Sequence, residues 1–199
     1  MNSHSANIVD SPSLARPCLE VAADLIGCHL VRRLANGQII RGTIVETEAY
    51  EAGDPACHGD RQRTRRNWPM FESPGTMYVY LIYGMYHCLN IASDRADFAS
   101  AVLIRALQLE SIPPDIQTKD KLHRIAAGPG KLCRALQIDR SLNGRQLDAN
   151  GPLWLEHRTP EFQQQFNRDS LVQTTRIGLS VGKELPWRWY FKCPAVSKP

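Results

Sequence analysis

The sequence predicts a single α+β domain in which helices surround a mostly antiparallel sheet. Three observations carry this expectation. A length of 199 residues suits one domain with a proper core. Two stretches join strand-like runs across tight-turn residues: Asn36-Gly37 ahead of IIRGTIVETEAY, and Tyr83-Gly84-Met85 inside MYVYLIYGMYHCLNIAS, residues 77–93. Helical spacing is confined to short segments, at residues 19–26 and in GPGKLCRALQI, residues 128–138. Residues 1–13 are polar and rich in Pro and Ser, so a mobile tail is expected there, with the domain running over 14–199.

In order along the chain, Leu19, Ala22, Ala23 and Ile26 share one side of a helix that Gly27 is placed to end. HLVRRL, residues 29–34, reads as a strand, and the return strand runs over 39–50. Strict alternation on that return strand puts Ile44, Glu46, Glu48 and Tyr50 on one face and Val45, Thr47 and Ala49 on the other. Residues 51–76 form a long connection that Trp68, Met70 and Phe71 would anchor. The central hairpin follows, with Tyr78, Tyr80 and Ile82 on one face. AVLIRAL, residues 101–107, is a strand that is apolar except for Arg105. Residues 111–129 read as a Pro-containing loop with one helical turn, before the helix of 128–138. PLWLEHR, TTRIGLS and WRWYFK then read as strands.

The net charge of +4 permits an anionic partner without demanding one. Its distribution says more: Arg61, Arg63, Arg65 and Arg66 crowd the loop GDRQRTRRN, which is either a solvated face or a phosphate-contacting patch. The Gly-Pro-Gly at 128–130, followed by Lys131, offers a second place for a phosphate, but it is not a Walker A loop, so no nucleotide hydrolase is inferred. The six cysteines form no C-x-x-C pair, and no secretory signal or membrane-length apolar run is present. Reduced thiols in a protein that is not secreted are therefore expected.

Four features invite a functional reading beside a plain one. Tyr83 and Met85 flank the hairpin glycine, where a solvated turn prefers Asn, Asp or Ser. Such side chains are either buried under a lid, as most apolar residues are, or held out as a wedge that parts stacked bases. Glu46 and Glu48 are either a polar edge or include a buried carboxylate with a task, Glu48 being the better candidate beside Thr47, Ala49 and Tyr50. Arg105 needs a carboxylate or phosphate partner, Glu46 or Glu48 serving well. His58 lacks ligand-spaced partners, so no metal site is expected.

These motifs together resemble the alkyladenine (3-methyladenine) DNA glycosylase family. The matching segments are LVRRLANGQIIRGTIVETEAY, DPACHG, TRRNWPMF, PGTMYVYLIYGMYHCLNI, VLIRAL, GPGKLCRALQI, RIGLS and LPWRWYF, from about residue 14 to 193. The resemblance implies a curved sheet with a protruding β-hairpin. It also implies a monofunctional base-excision repair enzyme that flips a damaged purine from double-stranded DNA and hydrolyses its N-glycosidic bond. Glu48 would be the general base and Arg105 would position the water and phosphate, with a backbone carbonyl near Phe191 helping to hold the water. Tyr50 and Tyr80 would sandwich the base with His58 at the pocket edge, and Asn90 would reject guanine. Tyr83 would be the wedge with Met85 beside it, and Leu103 would lie near the wedge. No cofactor or metal is implied, and a monomer is expected, cytoplasmic in a bacterium or nuclear in a eukaryote. The alternative is a non-catalytic damage-sensing DNA-binding protein that uses the same wedge.

Overall fold

A computed structural model describes residues 7–113, 115–117, 119–166 and 170–197. The elements are α1 (Ser11–Leu14), α2 (Cys18–Asp24), β1 (His29–Arg33), β2 (Ile39–Glu51), β3 (Met77–Ile82), β4 (Tyr86–Ala92), β5 (Ser100–Leu109), α3 (Leu122–Ile125), α4 (Pro129–Ala135), β6 (Leu153–Glu156), α5 (Pro160–Gln165), β7 (Leu171–Thr174) and β8 (Arg188–Phe191). The strands form one curled antiparallel sheet in the order β3-β4-β5-β2-β1-β6, with β8 also on β2 and β7 on β8. This is the α+β class that the sequence predicts.

β2 organises the sheet because it is long enough to serve two branches. β5 lies along one of its edges from Gly42 to Glu51. On the other edge β1 pairs with residues 39–43 and β8 with Glu46, Thr47 and Glu48. The hairpin entering β2 closes at the expected turn, where Leu34 and Gln38 pair and Gly37 takes a positive φ of 83°.

One face of the sheet carries the main core. α2 lays Val21 and Ala22 on it, and Leu25 follows at its C-terminal cap, with Ile44, Ala49, Val79, Leu89, Ile91 and Ile104 from the strands and Leu132 from α4. The Thr47 hydroxyl donates to Ala22 O at 2.7 Å, so this polar side chain is satisfied inside that layer. The opposite face is covered by loops and carries smaller clusters around Tyr78 and around Val45.

Strict alternation along β2 fails at one point. Ile44 pairs with Leu107, Glu46 with Ala106, and Thr47 with Ile104, leaving Val45 and Arg105 each without a direct partner. Paired bulges therefore put Val45 and Glu46 on one face in succession, and Ala106 next to Arg105 on the same face. Ile44 belongs to the main core and Val45 does not, the reverse of the alternation expected for these two residues.

Other boundaries differ locally. The predicted helix over 19–26 ends at Asp24, and Gly27, at φ 90°, donates to Ile44 O. No strand forms over 175–180; the strand lies at Leu171–Thr174 instead, before Arg176 and a positive-φ Gly178 turn the chain away. Of the segment expected as a tail, residues 1–6 lie outside the described residues. Beyond them, Ile8 bridges Glu156, Val9 donates to Leu155 O, and Asp10 caps α1. The 111–127 loop contains α3, and its positions 114 and 118 also lie outside the described residues.

All six cysteines are free thiols, five of them buried. Burial raises the thiol pKa at each of the six, to about 11 at Cys28 and about 12 at Cys57. Among the described residues no helix is long and apolar enough to cross a membrane.

The long 51–76 connection is pinned by a 3-10 turn, Trp68–Phe71, with Met70 buried. Gly144 stands against it at φ 78°, where a Cβ would lie 2.5 Å from the Trp68 ring. Gly144→Ala is expected to destabilise the fold by about 1–3 kcal/mol, measured by urea denaturation. An unchanged midpoint would show that Trp68 yields freely.

Candidate active site

Antiparallel register builds a row of side chains across the face opposite α2. Tyr78 on β3 pairs with Asn90 on β4, Asn90 with Leu103 on β5, Leu103 with Glu48 on β2, and Glu48 with Arg188 on β8. Adjacent strands lie about 4.8 Å apart, so the row is a compact rung. The paired bulges then deliver Glu46 and Arg105 to the same face.

Arg105 links the two glutamates. Its Nε donates to Glu46 Oε1 at 3.1 Å, and its Nη1 lies 3.1 Å from Glu48 Oε2. All three groups are buried. Burial alone would lower the guanidinium pKa, but the Glu48 and Glu46 charges outweigh it and hold the group above its ordinary value. The sequence offered either carboxylate as partner to Arg105, and the structure uses both.

The two carboxylates are not equivalent. Glu46 accepts from Arg105 Nε, Arg188 Nη1, the Ser197 hydroxyl and the Ser197 backbone N–H. Four donors match the roughly four acceptor sites of a carboxylate. Among the described residues Glu48 accepts from two donors, the Ile177 N–H at 2.8 Å and the Tyr50 hydroxyl at 2.7 Å, and it is ion-paired with Arg105. Among the described contacts Glu48 is thus less fully occupied than Glu46, which makes it the better placed of the two to hold a water.

Above this layer lies a cavity of about 270 Å³. Tyr50, His58, Tyr78, Tyr80 and Asn90 line it, with Arg66 and Met70 at its sides and Gly178-Leu179 from the loop after β7. Glu48 is fully buried behind Tyr50 and does not itself face the cavity. The aromatic walls are organised: the His58 and Tyr80 rings meet edge to face at 4.8 Å, and His58 Nδ1 is 2.9 Å from the Tyr78 hydroxyl. The Asn90 amide donates to Tyr78 O at 3.1 Å, which fixes the side chain and frees its carbonyl oxygen. Burial raises the tyrosine hydroxyls, Tyr78 to about 12, so these phenols stay protonated donors. Leu103 is buried on the rung itself.

The hairpin tip projects. Tyr83 is 80% exposed and Met85 67%, with Leu81 and Tyr86 also exposed. Burial, the ordinary expectation for such side chains, does not hold. Tyr83 also adopts φ 52°, a left-handed conformation unusual for an aromatic residue. Tyr86 packs where the hairpin meets α4: a Cβ on Gly130 would lie 3.0 Å from the Tyr86 Cβ.

The basic residues divide. Arg63 is held by Glu72 and Asp97 and lies near the Phe71 ring, so protein carboxylates already partner it. Arg61 and Arg65 are exposed, as is Lys131 on the short α4. Arg66 stands over the Tyr80 ring, 5.4 Å from its centre, at the cavity edge.

Sequence reasoning missed several supports. Arg176 makes a fully buried bidentate pair with Asp54 at 2.5 and 2.8 Å, also donating to Ala49 O and Gly182 O. Its guanidinium lies over the Tyr50 ring at 4.6 Å and fixes the loop that brings the Ile177 N–H to Glu48. The Phe191 ring packs against Phe162 and Phe166. No group of three or more His, Cys, Asp or Glu side chains able to hold a metal occurs among the described residues.

Burial and then Arg66 lower the His58 pKa below its ordinary 6.5. A depressed folded-state value favours the neutral ring, so its contribution to stability is fully present above about pH 6.5. That contribution is lost as the pH falls through the folded pKa. Arg66→Ala is expected to move the His58 titration upward in imidazole NMR; an unchanged midpoint would remove Arg66 as a cause.

The model of the methylpurine-DNA glycosylase family matches residues 12–194 of the chain. A relative from Trichodesmium erythraeum named "Putative 3-methyladenine DNA glycosylase" is 56% identical, the alignment covering 96% of this chain and 98% of the relative. One of the same name from Synechococcus elongatus is 54% identical over 94% of this chain and 89% of its own length. Another so named, from the archaeon Methanocella arvoryzae, is 46% identical over 92% of each. The chain belongs to the methylpurine-DNA glycosylase family.

Proposed function

We propose that this member of the methylpurine-DNA glycosylase family hydrolyses the N-glycosidic bond of damaged purines in duplex DNA, 3-methyladenine and hypoxanthine among them, with Glu48 as general base. The observation that carries this reading is the pairing of two buried glutamates, of which Glu46 meets four donors and Glu48, among the described contacts, meets fewer and so can take a water. A water held there gives up its proton to the carboxylate as its oxygen bonds to the anomeric carbon. The glycosidic electron pair leaves with the base. The carboxylate's charge stabilises the positive sugar that develops in between.

Arg105 orients Glu48 and offers charge toward a phosphate or the attacking water. A base inside the helix is out of reach, so the nucleotide must be everted and its place filled. Tyr83, at the tip of the exposed finger, fills the gap, and Met85 sits beside it. Tyr50 and Tyr80 hold the everted purine by its faces, stacking being worth about 1–3 kcal/mol per base. For the base to reach the sugar's reaction centre near Glu48, Tyr50 must exchange part of its contact with that carboxylate for contact with the base. Asn90, fixed through Tyr78 O, narrows the cavity floor against a purine with an added exocyclic amine. Arg61, Arg65, Arg66 and Lys131 meet phosphates, and Arg63, already paired, braces the loop.

Alkylated purines are electron-poor and depart readily; hypoxanthine needs a proton donor on its ring. No lysine lines the described cavity, which supports a monofunctional enzyme that leaves an abasic site. A damage sensor without turnover would use the same finger, but it would have no use for a buried carboxylate left less than fully occupied.

Glu48→Gln is expected to cut single-turnover release of free base by at least about 10²-fold while the variant still binds lesion-bearing duplex. Release at the wild-type rate would remove Glu48 as base, and a wild type that binds without releasing base would favour the sensor. Tyr83→Ser is expected to lower the fraction of flipped nucleotide, read from a fluorescent base analogue opposite the lesion; an unchanged signal would count against the wedge.

A further inference from the structure

The chain beyond β8 returns to the back of the reaction layer. Ala195 is buried against Val45 and Ala106, the residues beside Glu46 and Arg105 on the paired bulges. Arg124 donates to Val196 O at 3.3 Å. Ser197 then meets Glu46 twice, its backbone N–H donating to Oε2 at 2.8 Å and its hydroxyl to Oε1 at 2.9 Å. Arg105 Nη2 also reaches the Ser197 hydroxyl, at 3.4 Å. The C-terminal segment is thus strapped across the two bulges that aim the charged groups.

Two of the four donors that saturate Glu46 come from this one residue. Loss of the hydroxyl would empty an acceptor site on Glu46 Oε1 and at the same time strip Arg105 Nη2 of its acceptor, so that Arg105, already bonded to that oxygen through Nε, is freed to turn toward it, with the unpartnered Nε of Arg188 as the competing donor. A second bond from Arg105 to Glu46 would turn the guanidinium and draw Nη1 away from Glu48. We infer that Ser197 is a positioning residue for the reaction, acting through Glu46 to hold Arg105 against Glu48. The inference deepens the glycosylase reading of the same site and rests on it.

The test compares the full-length wild type with Ser197→Ala and Ser197→Thr. Excision is followed at saturating enzyme on a lesion-bearing duplex across pH, and the Glu48 carboxyl is titrated by carbon-13 NMR. Ser197→Ala is expected to lower the single-turnover rate about tenfold, the scale of one hydrogen bond to a charged group, with the DNA dissociation constant within about twofold of the wild type. Ser197→Thr, which keeps the hydroxyl, should restore the rate. A carboxylate that loses a cationic partner binds protons more readily, so the acid limb of the rate and the Glu48 titration should both move to higher pH in Ser197→Ala. A wild-type rate and profile in Ser197→Ala would overturn the inference. So would a slower rate with an unmoved Glu48 titration, which would mean a purely structural effect. If the wild type released no base, the glycosylase reading would fail; the Glu48 titration would still decide the positioning, an upward move supporting it and no move overturning it.

Discussion

The site depends on one buried guanidinium held between two carboxylates. Removing three charges from water costs several kcal/mol per ion even after relaxation, so Arg105, Glu46 and Glu48 persist together only because each is met by well-placed donors or acceptors. Arg188 supplies a second positive charge on Glu46, so the layer holds two carboxylates and two guanidinium groups. Paired bulges are the backbone device that makes this possible. They place charged side chains on the face away from α2 while Ile44, Thr47 and Ile104 stay in the core, so the chemistry and the packing occupy opposite sides of the same strands.

The hairpin inverts the usual relation between side-chain chemistry and location. Tyr83 and Met85 are the kind of residue that folding hides, yet they stand in solvent at the end of β3 and β4. A positive φ at Tyr83 adds strain of order 1–3 kcal/mol, and the fold gains nothing visible in return. Both observations support the proposed wedge, a tip that meets a partner the free protein lacks. The finger is also rooted: Tyr86 leans on Gly130 at the start of α4, so a helix from the core side sets the direction in which the tip points.

Much of the fold was legible because it is written in local signals. Asn36-Gly37 and Gly84 placed both hairpins, the apolar spacing placed α2, and the lone Arg105 in an apolar strand announced a carboxylate partner. The bulges were not legible, because Val45 and Arg105 are skipped only in relation to each other across two strands, and alternation within one strand is blind to that. The supports of the site were missed for a similar reason. Asp54 and Arg176 lie far apart in sequence, the Ile177 contribution comes from a backbone N–H that any residue carries, and Ser197 looks like part of an ordinary polar terminus. The stretch read as a strand at RIGLS has the composition of one, but Arg176 is drawn to Asp54 and Gly178 bends the backbone.

The six reduced cysteines have a consequence for a protein with this work. Agents that methylate purines also attack sulfur, and they attack the thiolate far faster than the neutral thiol. Burial keeps five of these sulfurs out of solvent, and raised pKa values keep all six protonated near neutrality. Burial and protonation together make these sulfurs poor nucleophiles toward the kind of electrophile that methylates a purine.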